Sequence, residues 1–201
     1  MSEITPRWDL SNVYPGLDHP EFENAMQQFG LQIASLEELF TRHISPTGAE
    51  TEIAVLADLV SEVISALNSA HQLGSTLRAY IFTFITTDSR DDLAKRRWSE
   101  FEQVYVRLQK LDTQNQAWIG KISPQLEAVI ASNPVAEGHA FFLRTAAEQS
   151  RYLMSEVEEN LAVDLQPSGA SAWSRLQGTL TSQLTIDFEL DGEMKKCLYR
   201  R

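Results

Sequence analysis

Cysteine is all but missing from these 201 residues, with Cys197 standing alone. One thiol excludes an internal disulfide and any multi-cysteine zinc or iron–sulfur cluster. Histidine is scarce as well. His19, His43, His71 and His139 are far apart, and none has a second histidine three or four residues away. The His-Glu-x-x-His arrangement, which sets two imidazoles on one helical face with a base between them, is therefore lacking. The nine glycines are scattered, and none follows a strand as a phosphate-cradling loop requires. Positive charge is short: 17 Lys and Arg face 28 Asp and Glu, a net charge of -11. Nucleic acid and anionic membrane surfaces need a positive partner, so neither is expected to bind. Arg96-Arg97-Trp98 is an isolated basic triplet on an acidic chain, and it does not change that reading. No uninterrupted run approaches the roughly 18 apolar residues of a membrane span. The densest patch, Ile81 to Ile85, is short and broken by Thr83. The first 18 residues have no basic stretch leading into an apolar one, which argues against a signal peptide and makes the cytoplasm the expected compartment.

What the chain has in quantity is helical periodicity, with 43% hydrophobic residues to fill a core. After an aperiodic opening closed by Pro15-Gly16, Asp18 is placed to cap a helix whose stripe is Phe22, Met26, Phe29, Ile33, Leu36, Leu39 and Phe40. Residues 45–48, Ser-Pro-Thr-Gly, break it. A second stripe runs without a proline from Ile53 through Leu67 and Leu77 to Phe84. At about 1.5 Å per residue that helix spans about 50 Å, which predicts an elongated bundle. Asp88 or Ser89 is the expected start of a third helix carrying Leu93, Arg97, Phe101, Val104, Leu108, Leu111 and Trp118. Shorter helices are expected around Leu126, Val129 and Ile130, around Leu143, and after Ser155, where Glu158 completes a capping box. A break at Ser168-Gly169-Ala170 precedes Trp173, Leu176 and Leu180 on one helical face.

The period changes at the end. Leu184, Ile186, Phe188 and Leu190 alternate with Thr185, Asp187 and Glu189, and Asp191-Gly192 follows. That pattern is a strand entering a two-residue hairpin turn, with Glu193 to Leu198 as a barely begun return. The fold class is thus mainly α: an elongated antiparallel helical bundle over residues 1–182, then a small C-terminal strand or hairpin over 183–201. Because a lone hairpin is marginal, 183–201 reads as the start of a truncated following region.

No catalytic, cofactor-binding or metal-binding residue is assigned. A lone imidazole such as His71 lacks co-ligands for a metal. The adjacent carboxylates Glu37-Glu38, Asp91-Asp92 and Glu158-Glu159 point about 100° apart on a helix and share no site. Cys197 has Lys195 and Lys196 beside it to lower its pKa, but no histidine near in sequence to act as base.

Three segments, taken in order, resemble one family. They are Pro6-Arg7-Trp8-Asp9-Leu10-Ser11-Asn12-Val13-Tyr14-Pro15 with Glu21-Phe22; Leu77-Arg78-Ala79-Tyr80 with Thr87-Asp88-Ser89; and Tyr152-Leu153-Met154-Ser155-Glu156-Val157-Glu158-Glu159 with Ser168-Gly169-Ala170, Trp173-Ser174-Arg175-Leu176 and Thr185-Ile186-Asp187-Phe188. The set is similar to the N-terminal region of oligoendopeptidase F-like zinc peptidases of family M3. The resemblance implies a helical wall facing a catalytic region across a channel, where zinc hydrolyses short peptides. It also implies that the zinc ligands lie in a C-terminal part lacking here, so the chain is expected to hold no cofactor and to be inactive alone. Expected partners are that catalytic region, short peptides in its company, and a second copy of the chain through self-association. The alternative reading is a free-standing helical protein-binding module on the same scaffold.

Overall fold

The computed structural model describes residues 9–190 and 192–198. Pro6, Arg7 and Trp8 of the opening motif, Asp191 of the turn and the side chain of Cys197 lie outside that description. The chain is mainly helical, with one small antiparallel sheet at its C-terminal end.

Helix α1 (Pro20–Leu39) continues into a π-helical turn over Phe40–Ile44. Its cap is His19 rather than the expected Asp18, and His19 Nδ1 accepts from the Glu21 N–H. The reason is Pro20: proline fits the first helical position, so the cap is the residue before it. Helix α2 (Ile53–Thr87) is the long one. Helix α3 (Asp92–Lys121) starts three or four residues later than expected. Asp88 closes the end of α2 instead, and Asp91 caps α3 by accepting from the Ala94 N–H at 2.9 Å.

Cross-helix pairs fix the directions. Phe82 meets Trp98, Arg78 meets Tyr105 and His71 meets Asp112, so α2 and α3 run antiparallel. Glu23 pairs with Arg97, Phe29 stacks on Phe101 and Glu37 pairs with Arg107, so α1 lies parallel to α3 on the other side of the core. Phe22, Phe29, Ile33 and Leu36 of α1, Leu56, Leu77 and Ile81 of α2, and Phe101, Leu108 and Ile119 of α3 are fully buried between them. Gly74 lets the Phe29 ring come within 3.0 Å of where a Cβ would stand, tighter than most side chains allow.

By length and composition α2 could cross a membrane, with a mean hydropathy of 1.5 over its most apolar window. The run criterion passes over it because single polar residues interrupt the stripe while charged ones are few. A buried stripe, 39% of that window, packs on the neighbouring helices, as the core helix of a bundle does.

The opening is pinned to this core. Tyr80 donates to the Tyr14 carbonyl at 2.7 Å, their rings meet edge to face, and Arg97 Nε donates to the Leu17 carbonyl at 2.9 Å. Two segments of the resemblance, around Tyr14 and around Tyr80, therefore touch. Arg97, sitting in the apolar stripe of α3, is satisfied by Glu23 and Glu100 and lies over the Phe22 ring.

Helices α4 (Leu126–Ser132), α5 (Pro134–Gly138) and α6 (Ala140–Gln149) close the bundle, burying Leu126, Val129, Ile130 and Leu143. Then come α7 (Glu156–Leu165) and α8 (Ala170–Gln183). The hairpin β1 (Thr185–Leu190) and β2 (Glu193–Leu198) pairs over six residues, from Thr185↔Leu198 to Leu190↔Glu193. The return strand has the expected bounds, Glu193 to Leu198, and pairs along all six of its residues, and Gly192 takes the positive φ of 77° that the turn needs.

Candidate functional site

The four histidines are dispersed. His19 caps α1, His43 is exposed, and His139 engages the Val135 carbonyl and Asn68. Among the described residues no three His, Cys, Asp or Glu side chains converge in a way that could hold a metal ion. The donors brought together among the described residues fall short of the three protein ligands that a catalytic zinc takes beside its water.

His71 has a partner that sequence reasoning missed. Its Nε2 lies 2.8 Å from Asp112 Oδ1, joining α2 to α3 across 41 positions of sequence. That hydrogen bond, reinforced by the charge of Asp112 and opposed by partial burial, raises the imidazole pKa above its ordinary value. Beside the pair is a cavity of about 280 Å³ that Asn115, Gln116, Thr145 and Phe142 also line. Asn115 is buried, and its Oδ1 has no hydrogen-bond partner among the described residues. Chemically this is a carboxylate-oriented imidazole at a polar cavity, which can accept or donate a proton. No hydroxyl or thiol hydrogen-bonds to His71 among the described residues, so the constellation lacks the nucleophile of a covalent mechanism. The signal that could have found the pair is weak: residue 71 on one long helix and residue 112 on the next meet only if the register of α2 on α3 is known.

The adjacent carboxylates divide their work. Glu37 accepts a forked pair of bonds from Arg107 at 2.8 and 2.6 Å, which lowers its pKa, while Glu38 pairs with Arg42 one turn on. Asp91 caps α3 and Asp92 faces Lys95. Glu158 completes the capping box with Ser155, and Glu159 accepts from the Met154 N–H. None of these pairs forms a shared site.

The other functional feature is a surface. After Ala146 no described residue is buried. Helix α7 holds to α3 through Lys110–Asp164 at 2.6 Å and Gln114–Glu156, and Arg175 of α8 reaches Glu102. Their apolar stripes face outward: Val157, Leu161 and Leu165 on α7, then Trp173, Leu176 and Leu180 on α8. Val157 is 78% exposed and Trp173 71%. Isolated exposed apolar residues are ordinary, whereas two successive helices with exposed stripes form an extended apolar surface.

Residues 123–186 match the family model described as "Oligopeptidase F", for the N-terminal region of M3 peptidases. No curated protein and no solved structure matches the chain.

Proposed function

We propose that this chain is the non-catalytic N-terminal region of an oligopeptidase F-like zinc peptidase, forming part of the wall of a channel for short peptides, and that it hydrolyses no peptide by itself. One observation carries the reading: the matched residues 123–186 include the stretch that folds without burying a side chain, the two exposed stripes of α7 and α8. A segment that keeps its secondary structure and turns its apolar face outward is suited to lie against a further protein region. In this reading that region supplies the zinc ligands and the catalytic base, works in the cytoplasm, and covers the stripes. The role of this chain is to shape the entrance so that folded proteins are excluded.

The test joins metal analysis with a fluorogenic oligopeptide assay on rigorously purified chain. The expected result is no stoichiometric zinc and no chelator-sensitive cleavage. Stoichiometric zinc together with such cleavage overturns the reading. The same exposed stripes suit a free-standing protein-binding module, the second reading. A downstream reading frame encoding His-Glu-x-x-His supports the first reading, and a frame without it supports the second.

A further inference from the structure

A second cavity, of about 250 Å³, opens between α2, α3 and the turn joining α7 to α8. Its floor is aromatic. Phe101 stacks on Tyr105 with ring centroids 5.2 Å apart, and Trp98 lies 6.1 Å from Phe101. Arg78 stands over Tyr105 with its guanidinium carbon 6.0 Å from the ring centroid, at the outer reach of a cation–π contact. The neighbouring arginines are neutralised: Arg97 by Glu23 and Glu100, Arg107 by Glu37, Arg175 by Glu102. Arg78 has no ion pair and no side-chain hydrogen bond among the described residues, although the chain carries a net charge of -11. The opposite wall is fixed, because Arg175 holds Glu102 and also donates to the Pro167 carbonyl.

We propose that this cavity binds a small monocarboxylate borne on a flat apolar group, with the carboxylate on Arg78 and the ring against Trp98 and Tyr105. The planar guanidinium offers two parallel donors that match a carboxylate. The aromatic floor favours an offset-stacked or edge-to-face ring. The volume, just below that of sites for drug-sized ligands, suits a single ring with a short arm. A dianion such as a phosphate monoester is disfavoured, because one guanidinium leaves its second charge uncompensated in the overall negative field. Two sources present this chemistry, a free arylalkanoic acid and the C-terminal residue of a peptide ending in an aromatic side chain.

The experiment is calorimetric titration with four probes: 3-phenylpropionate and its amide, and the tripeptide alanyl-alanyl-phenylalanine with a free or amidated C-terminus. At least one acid is expected to bind saturably, with its amide at least about tenfold weaker. Whichever acid binds tighter identifies the source. Arg78→Gln is expected to weaken the acid to the level of its amide and leave the amide unchanged, and Arg78→Lys to restore part of the loss. Arg78 is exposed, so both variants are expected to keep the wild-type circular dichroism spectrum. Equal binding of acid and amide, indifference to Arg78→Gln, or no saturable binding of either acid up to about 10 mM overturns the proposal.

Discussion

Gly120→Ala gives the sharpest test of how the outward-facing C-terminal segment is fastened to the bundle. Gly120 lies in the last turn of α3, and a Cβ there would stand 2.3 Å from Ser150 Oγ and 2.6 Å from Ser150 Cβ. Ser150 begins the short turn Ser150–Tyr152 that leads from α6 toward α7, and its hydroxyl donates to the Ala147 carbonyl at 2.7 Å. A Cβ is bonded to backbone, so the clash is relieved only by moving that turn off α3. Overpacking of this kind costs about 1–3 kcal/mol. Against it stands the helix-propensity gain of alanine over glycine, about 1 kcal/mol in a helix interior and less in a last turn. The net expectation is a destabilisation of about 1–2 kcal/mol, or a Tm lower by about 2–8 °C for a chain of this size. Gly30 in α1 is the control: a Cβ there meets nothing within 4 Å, so Gly30→Ala is expected to raise Tm by about 2–4 °C. A thermal melt reads both. Placed on a Ser150→Gly background, Gly120→Ala should lose most of its cost, because the clashing atoms are gone. A rise in Tm for Gly120→Ala like that of Gly30→Ala, in both backgrounds, refutes the reasoning.

Two further outcomes follow from local chemistry. Asp112 raises the His71 pKa in the folded state, so this pair stabilises the fold fully below the unfolded value of about 6.5 and loses its contribution as pH rises through the folded value. Urea midpoints of wild type and Asp112→Asn should converge with rising pH; the gap stays small because both side chains are about two fifths exposed, and a gap that widens contradicts the assignment. Ser155→Ala removes the capping box of α7, worth about 1 kcal/mol of helix stability. Since α7 buries no side chain, the loss is expected as faster amide exchange within α7 at nearly unchanged Tm, and a large fall in Tm contradicts it.

Much of the fold could be read from periodicity. The stripe of Phe22, Phe29, Ile33 and Leu36 and that of Phe101, Leu108 and Trp118 are buried as their spacing requires, and the Ser155–Glu158 box forms as its residues imply. Helix starts were harder, because Asp18 and Asp88 have capping chemistry but Pro20 and Asp91 decide the frame. Periodicity also assigned Val157, Leu161 and Trp173 to helix faces, yet it does not tell a stripe that meets the core from one that faces outward; packing determines that. The His71–Asp112 pair and the Arg78 cavity were invisible for a related reason. Each depends on the register of α2 against α3, and no local pattern encodes it.

In the proposed function the exposed stripes of α7 and α8 are the seat of a catalytic region. That seating is tested most directly by sedimentation of this chain with a separately purified catalytic region of an oligopeptidase F, at low and moderate salt, for wild type and for the double variant Leu161→Asp with Trp173→Asp. Both positions are more than half exposed, so the variant is expected to melt with the wild type. A saturable complex is expected, which the double variant abolishes and added salt does not weaken, since the acidic chain would otherwise be held by screened charge. No complex at high concentration, or one indifferent to both substitutions, contradicts that seating.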